Sequence, residues 1–304
     1  MNSNTPYPPP DRVPARHRVI AVFRAKHRRF RRWWRSKPAF DFLYRRILQK
    51  RFMDDVQRWS SQADSVTERR LANDLMKRLR PKEIAEELQR IGGAYDGGYL
   101  LPQGATEVDA IFSPGVGYEA GFEAWFASRN VPCFLADASV DRAPLDYKNF
   151  NFIKKFVGAA ETDDTVEINS WIETYVTTSC SELGLQMDIE GGEYEVLPAI
   201  TKDNYARFRF IITEFHSLHR VVDRTFAEKL TNILDLIDKT HVIAHTHANN
   251  SAPPITWNGL RLFPTVEIVA VRKDLVTETG RYAEIPHALD EKNVPFRRDW
   301  TFVA

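Results

Sequence analysis

The chain has few cysteines and no long apolar segment. Its two cysteines, Cys133 and Cys180, lie among apolar or small residues and neither belongs to a CxxC pair, so buried or inert thiols in a reducing compartment are expected. No run of about 18 apolar residues occurs, so the sequence predicts no transmembrane helix. The first residues lack a basic stretch followed by an apolar core, and we therefore expect no secretory signal and a cytoplasmic location.

Charge is distributed unevenly along the chain. The formal net charge is +1, yet 15 Lys and Arg residues and a single acid, Asp41, lie between Arg12 and Arg51. A basic arm therefore precedes an acidic body. Composition and periodicity predict a Pro-rich disordered segment at 1–15, a basic aromatic helical arm at 16–60, a main domain with a helical lead-in at 61–280, and a C-terminal tail at 281–304.

The arm interleaves cations with aromatic rings, most densely in RRFRRWWR at 28–35. One interpretation is a membrane-surface helix that binds anionic lipid through residues 16–52, peripheral to the inner face of a membrane. A second is nucleic-acid binding by phosphate contacts and stacking, against which the absence of a recognisable nucleic-acid-binding motif argues. A third is a helix that packs its aromatic side on the acidic body or on a partner protein.

Beyond Thr106 the hydrophobic pattern alternates between strands and helices. This alternation predicts an α/β, Rossmann-like fold with a mostly parallel seven-stranded sheet and helices on both faces. The last two strands have no helix between them and are expected to be antiparallel neighbours. Pro81 predicts the start of a short helix that ends near Leu88. The predicted strands are Ala110–Ser113, Cys133–Ala136, Phe152–Val157, Leu185–Ile189, Phe210–Phe215, Val242–His245 and Val266–Val271, and the predicted helices are Ser65–Leu79, Ala120–Ser128, Glu167–Tyr175, Tyr194–Ile200 and Asp223–Asp238.

A glycine-rich turn follows the first of these strands. Gly115 and Gly117 stand between strand and helix, where a side chain would collide with a cofactor lying across the strand end. Asp137 stands 22 residues after Gly115, at the end of the next strand, where an acid binds ribose hydroxyls. The pattern predicts either a nicotinamide cofactor or S-adenosylmethionine. The position of Gly121 departs from the dinucleotide pattern GxGxxG and so disfavours the nicotinamide cofactor.

The segment QMDIEGGEYEVL at 186–197 closely resembles the K-x-D-x-E-G-x-E signature of FkbM-type methyltransferases. Shorter motifs resemble a branch of the same superfamily and follow its order: DGGY at 96–99, SPGVG at 113–117, EFH at 214–216 and HANN at 247–250. The resemblance covers roughly residues 88–273. Gln186 is a departure from the signature, because the family often has lysine at this position.

The resemblance implies a class I methyltransferase fold with S-adenosylmethionine as the methyl donor. It also implies a hydroxyl acceptor, since many relatives modify sugars or polyketide-type metabolites. We expect the cofactor to be bound by Asp96, Gly115, Gly117, Asp137, Asp188 and Glu190.

Several of these polar residues fall at the carboxyl ends of predicted strands, where open α/β sheets bind their ligands. A hydroxyl acceptor must lose its proton to a base or with the help of a metal. His216 is the first candidate for the base and Asp188 the second, with Glu214 beside them. Alternatively, oxygen-rich ligands hold a divalent ion, Mg²⁺ or Mn²⁺. The metal-ligand candidates are Asp188, Glu214, His216 and His247, with Asn249 nearby.

Each of these residues also has a structural interpretation. Asp188 fits the N-cap of the following helix, Glu190 fits a carboxylate that binds backbone amides, and Asp96 fits a turn former. His216 and His247 fit buried histidines whose ring nitrogens are hydrogen-bonded, and Asn249-Asn250 fits a polar turn.

Three functions are therefore compatible with the sequence. The first is an S-adenosylmethionine-dependent methyltransferase, most simply an O-methyltransferase acting on a glycan or a small hydroxylated metabolite. The second is an NAD(P)-linked oxidoreductase, which would share the glycine turn and Asp137. The third is a non-catalytic binding or assembly protein that retains the fold and recruits partners through its arm.

Overall fold

The computed structural model describes residues 38–60, 65–176 and 182–303. The expectations for residues 1–15 and for the first part of the arm, 16–37, lie outside the described residues, as does Cys180. Residues from Phe42 onward form one compact unit. Among the described helices, none is long and apolar enough to cross a membrane.

Seven α-helices and fifteen strands are described. The helices are α1 (Pro38–Ser60), α2 (Ser65–Arg78), α3 (Gly121–Ala127), α4 (Ile168–Tyr175), α5 (Glu193–Ala199), α6 (Lys202–Arg207) and α7 (Arg224–Thr240). The strands are β1 (Lys82–Ile84), β2 (Leu88–Gly92), β3 (Gly98–Pro102), β4 (Ala110–Pro114), β5 (Cys133–Ala136), β6 (Phe150–Ile153), β7 (Phe156–Gly158), β8 (Thr165–Glu167), β9 (Leu183–Met187), β10 (Phe208–His216), β11 (His241–Ala248), β12 (Ile255–Trp257), β13 (Leu260–Leu262), β14 (Thr265–Arg272) and β15 (Glu278–Tyr282).

The central sheet has seven strands in the order β11-β14-β10-β9-β4-β5-β6. Strands β6, β5, β4, β9 and β10 are parallel, whereas β14 is antiparallel to both of its neighbours, β10 and β11. The predicted mostly parallel α/β sheet is thus confirmed, and so is the antiparallel pairing of its last two strands. The order reverses between β4 and β9, which opens a crevice at the carboxyl ends of these two strands.

Two hydrophobic clusters cover the opposite faces of the sheet. One face packs against α2, α4, α5 and α7, and the other packs against α3 and the β2–β3 hairpin. Helix α7 shows how the pattern produces the packing, because Phe226, Leu230, Ile233 and Ile237 recur at helical spacing and are all buried. Asp223 caps this helix by accepting a hydrogen bond from the amide of Thr225.

Helix α1 contains the second half of the basic arm. Leu48, Phe52 and Val56 recur every four residues on one side of it. Leu48 and Val56 are buried, and Phe52 packs against the larger core cluster. The ring of Phe52 lies 4.5 Å from the ring of His219. This part of the arm is therefore joined to the core by an apolar stripe.

Two secondary-structure predictions were wrong. Residues 81–88 form no helix: Lys82–Ile84 is a strand that pairs with β15, and Leu88 begins β2. Long-range contacts outweigh the local proline signal here, because Arg80 and Lys82 both lie on the ring of Tyr282 in β15. Likewise, 152–157 is not one strand: β6 ends at Ile153 and β7 pairs with β8 in a separate two-stranded sheet. The chain leaves the sheet edge between them, at the exposed Lys154 and the half-buried Lys155.

Candidate functional site

Five polar residues expected at the crevice do lie at its rim. Asp137 follows β5, Asp188 and Glu190 follow β9, and Glu214 and His216 are the last polar residues of β10. Parallel strands end at the same edge of a sheet, so the topology alone brings these side chains together. We refer to this edge as the carboxyl rim.

Gly115 occupies the point where the ends of β4 and β9 meet. It has a φ of +89°, and a Cβ atom added to it would lie 1.8 Å from the backbone oxygen of Asp188. The amide of Gly115 donates to Ala136, and the amide of Asp188 donates to Pro114. Glycine is therefore required here by the protein's own backbone, quite apart from any space that a cofactor needs.

Asp137 ties the glycine turn to the end of β5. Its side chain is 4% exposed. One carboxylate oxygen accepts the amide hydrogen of Gly117 at 2.8 Å, and the other accepts that of Ser139 at 2.7 Å. A carboxylate oxygen can accept more than one hydrogen bond, so this acid is of the type that accepts from ribose hydroxyls. The geometry fits both the expected cofactor role and a structural role.

His216 lies among four carboxylates. Its Nε2 atom is 3.2 Å from Glu214, 3.5 Å from Asp188 and 3.7 Å from Glu190, and its Nδ1 atom is 3.4 Å from Glu193. Burial by itself lowers the pKa of His216, but the charges of Glu214 and Glu190, with the hydrogen bond to Glu193, raise this pKa well above its ordinary value. The surrounding carboxylates therefore favour the protonated form of the imidazole.

Glu214 carries the complementary shift. Burial acts to raise its pKa, but the charge of His216 and their hydrogen bond outweigh burial, and the pKa of Glu214 is lowered. The two residues thus form a buried ion pair at the end of β10. The second carboxylate oxygen of Glu214, Oε1, accepts a hydrogen bond of 2.5 Å from the side-chain amide of Asn249.

Glu193 is a site residue that the sequence interpretation did not single out, although it lies within the quoted signature. It is fully buried at the start of α5. One oxygen accepts the amide hydrogen of Gly191, and the other accepts that of His216, both at 2.7 Å. Glu193 thereby fixes the turn after β9, in which Glu190 has a φ of +56°, against the end of β10.

A second cluster continues the carboxyl rim across β14 and β11. Glu267 is the register partner of both Glu214 and His247. His247 lies 3.5 Å from Glu267 and 3.5 Å from Asp299. Burial acts to lower the pKa of His247, but its contacts with these two acids raise it to about 10. In the sequence, Glu267 is distinguished only as an acid within the apolar segment VEIVAV at 266–271, which is the one signal that could have indicated a site residue.

The C-terminal tail supplies part of this cluster, which no local pattern predicted. Asn293 donates to Glu267 at 2.5 Å and to the exposed Asp96 at 3.1 Å. Asn250 accepts the amide hydrogen of Val294 and donates to its carbonyl oxygen, at 2.8 and 3.1 Å, so its role is to hold the tail. In addition, Asp290 lies 2.8 Å from His245.

The metal candidates are only partly brought together. Within the described part of the chain, Asp188, Glu214 and His216 each offer one ligand atom, and these atoms lie within 4.8 Å of one another. His247 is not a member of this group and instead faces Glu267 and Asp299. Two carboxylates and one imidazole are a donor set that Mg²⁺ or Mn²⁺ accepts. His216 would have to lose its proton to bind an ion.

A buried polar chain runs beneath the glycine turn. The hydroxyl of Ser113 lies 2.5 Å from Glu123 and 2.7 Å from the side-chain oxygen of Gln186, whose amide nitrogen donates to Tyr99 at 3.0 Å. A hydroxyl has a single hydrogen to donate. If Ser113 donates to Gln186, Glu123 must be the acid that donates to Ser113. Burial raises the pKa of Glu123, which agrees with a neutral acid.

Comparison with known proteins does not distinguish among the functions that are compatible with this geometry. Neither a protein-family model nor a curated protein matches the chain.

Proposed function

We propose that this protein is an S-adenosylmethionine-dependent methyltransferase similar to the FkbM type, acting on a hydroxyl group of a glycan or a small hydroxylated metabolite. The observation that carries the proposal is the junction of β4, β5 and β9. There, Gly115 and Gly117 form the turn, Asp137 is bound to that turn, and Asp188 lies directly opposite. This is the switch point at which a nucleotide cofactor binds in open α/β sheets.

The charge at the carboxyl rim supports the same choice of cofactor. Asp188, Glu190, Glu193 and Glu214 surround His216 within 3.7 Å. A rim rich in carboxylates favours a ligand that carries positive charge, such as a sulfonium and an ammonium group, over a dinucleotide with its anionic diphosphate. S-adenosylmethionine, when bound, supplies a methyl group on such a sulfonium.

Two further features argue against the oxidoreductase. The dinucleotide-binding sheet has the order 3-2-1-4-5-6, whereas here the antiparallel β14 lies between the fifth and sixth strands. Gly121 does not serve a cofactor either, because a Cβ atom there would lie 3.1 Å from the backbone nitrogen of Gly93 in the loop after β2. Its small size lets that loop approach α3.

We assign the proton-accepting role to Asp188. The four carboxylates around His216 favour its protonated form, which has no free ring nitrogen to accept a proton. Its positive charge instead holds the carboxylates of Asp188 and Glu214 in place. Methyl transfer needs the acceptor oxygen, the methyl carbon and the sulfur in line, so fixed carboxylates that bind the hydroxyl contribute mainly by orientation. If a divalent ion takes part, Asp188, Glu214 and His216 would hold it, and it would stabilise the developing alkoxide.

Calorimetric titration with S-adenosylhomocysteine tests the cofactor. We expect binding to the unmodified protein and a loss of tenfold or more in Asp137→Asn, because the amide cannot accept hydrogen bonds at both positions. Asp141→Asn is the matched control, since Asp141 lies four residues further along, exposed and paired with Lys154. Failure to bind at millimolar ligand would contradict the proposal, and binding of NADH instead would favour the oxidoreductase.

The acid–base assignment and the non-catalytic alternative have their own test. Asp188→Asn and His216→Gln should both abolish methyl transfer while leaving the fold intact by circular dichroism. If the unmodified protein transfers no methyl group, or if deletion of residues 16–52 abolishes cellular function while these two variants retain it, a binding or assembly role is the better interpretation.

A further inference from the structure

Three arginines surround one tryptophan beside the carboxyl rim. The guanidinium carbons of Arg45, Arg261 and Arg298 lie 5.5, 5.6 and 5.8 Å from the centre of the Trp300 ring. They come from α1, β13 and the C-terminal tail, so only the folded chain assembles them. We call this group the Trp300 cluster.

The cluster concentrates positive charge at one place. Each guanidinium is attracted to the face of the indole, but the three charges repel one another because no two of them are farther apart than roughly twice these distances. Within the described residues, none of the three arginines forms an ion pair with a carboxylate. Their planar, forked donors suit the oxygens of a phosphate group. An anion at this position would therefore relieve the repulsion and satisfy the donors.

Two neighbouring features extend the cluster. Along α1, a groove of about 540 Å³ is lined in part by Arg46 and Lys50, together with Gln49, Met53, Pro254 and Thr256. On the other side, Asp299 contacts His247 at 3.5 Å, and Trp300 is bridged to Ala248 at the end of β11. The consecutive residues Asp299 and Trp300 thus join the second cluster of the carboxyl rim to the Trp300 cluster.

We propose that the Trp300 cluster binds a phosphate or diphosphate group carried by the acceptor. The part of this statement that concerns the acceptor rests on the proposed function, whereas the anion site does not. The arrangement would let the anionic end of a substrate lie over Trp300 while a hydroxyl further along the molecule reaches Asp188. Carboxylates at the rim and arginines at the cluster would then orient such a substrate in one direction.

Inorganic pyrophosphate is the probe for a calorimetric test on the full chain at low salt. We expect saturable binding, about tenfold weaker in Arg298→Gln and weaker still in Arg261→Gln/Arg298→Gln. Arg298 is exposed, so its replacement should not disturb folding. Arg129→Gln is the matched control, because the guanidinium of Arg129 also lies over an indole ring, 3.5 Å from the centre of the Trp125 ring. Arg129 lines a separate pocket with Asp109 and Val131. The Arg129→Gln variant should therefore bind pyrophosphate as the unmodified protein does.

The proposal is overturned if the unmodified protein does not bind 10 mM pyrophosphate, or if the double variant binds it equally well. Sedimentation with phosphatidylglycerol vesicles, against phosphatidylcholine vesicles, identifies the source of the phosphate. Loss of vesicle binding in the double variant would indicate a lipid headgroup, and unchanged vesicle behaviour with loss of pyrophosphate binding would indicate a water-soluble acceptor. S-adenosylhomocysteine titration of the same variants is independent, so failure of the cofactor proposal is distinguished from failure of this one.

Discussion

The two ends of strand β11 hold buried histidines in opposite charge states. At its first residue, the ring of His241 lies 2.8 Å from the carbonyl oxygen of Phe208, and burial lowers its pKa to about 4. Six residues further on, His247 lies against Glu267 and Asp299, which overcome burial and raise its pKa to about 10. The side chains are equally enclosed, so their partners decide the charge.

The same contrast holds beyond this strand. His219, buried against Phe52 and near Arg220, has its pKa lowered to about 3, whereas His216 at the carboxyl rim has its pKa raised. Charged histidines thus occur where carboxylates converge, and neutral ones occur where the core is apolar. Strongly perturbed groups that cluster at one edge of a sheet are typical of a functional site.

The largest expected effect distinguishes the carboxyl rim from the opposite end of the sheet. Gly115→Ala should destabilise the protein by about 4 kcal/mol or more, because its Cβ would overlap the backbone oxygen of Asp188 at a positive φ. Gly104→Ala is the control: its Cβ would meet no atom within 4 Å, and its carbonyl oxygen lies near Arg209 at the start of β10. Urea unfolding measures both, and equal stability of the two variants would disprove the steric argument.

The next effect is a stability maximum near pH 6.5. The folded pKa of His247 lies above the ordinary value of 6.5, so its contribution is complete below pH 6.5 and is lost as pH rises toward 10. The folded pKa of His241 lies below 6.5, so its contribution is complete above pH 6.5 and is lost as pH falls toward 4. The changes are on the order of 3 to 5 kcal/mol, the larger one belonging to His247.

Two glutamine variants separate these contributions. In urea unfolding at pH 5, 6.5 and 9, His247→Gln should reduce the loss of stability between pH 6.5 and 9 only, and His241→Gln should reduce the loss between pH 6.5 and 5 only. A variant that reduces the loss of stability on the opposite side of pH 6.5 would show that the charge states of the two histidines are reversed.

The smallest expected effect concerns an acid just beneath the rim. Glu123→Gln should change the free energy of unfolding by less than about 0.5 kcal/mol, because the amide donates to Ser113 as the neutral acid does. Ser113→Ala should cost about 1 to 3 kcal/mol, since it leaves the buried groups of Glu123 and Gln186 without their shared partner. A large loss in Glu123→Gln would mean that Glu123 is ionised.

Sequence periodicity was sufficient to predict the main sheet. The structure has three features where the sequence predicted them: the strand-turn-helix at Gly115, the acid at Asp137, and the polar ends of β9 and β10. Each of them depends on a short pattern and on parallel topology. Partners that arrive from distant parts of the chain could not be predicted in this way. Asp299 and Asn293 reach the rim only because the tail folds back over β11 and β14, and β1 exists only because β15 pairs with it.

The position of β14 has a consequence for synthesis of the chain. It is the last strand of the central sheet to leave the ribosome, yet it lies between β10 and β11, which do not pair with each other. Until residues 265–272 emerge, β10 and β11 each present an unpaired apolar edge, which is a hazard for aggregation. Because β11 pairs in the central sheet only with β14, it can join that sheet, and the rim can be completed, only once residues 265–272 are in place.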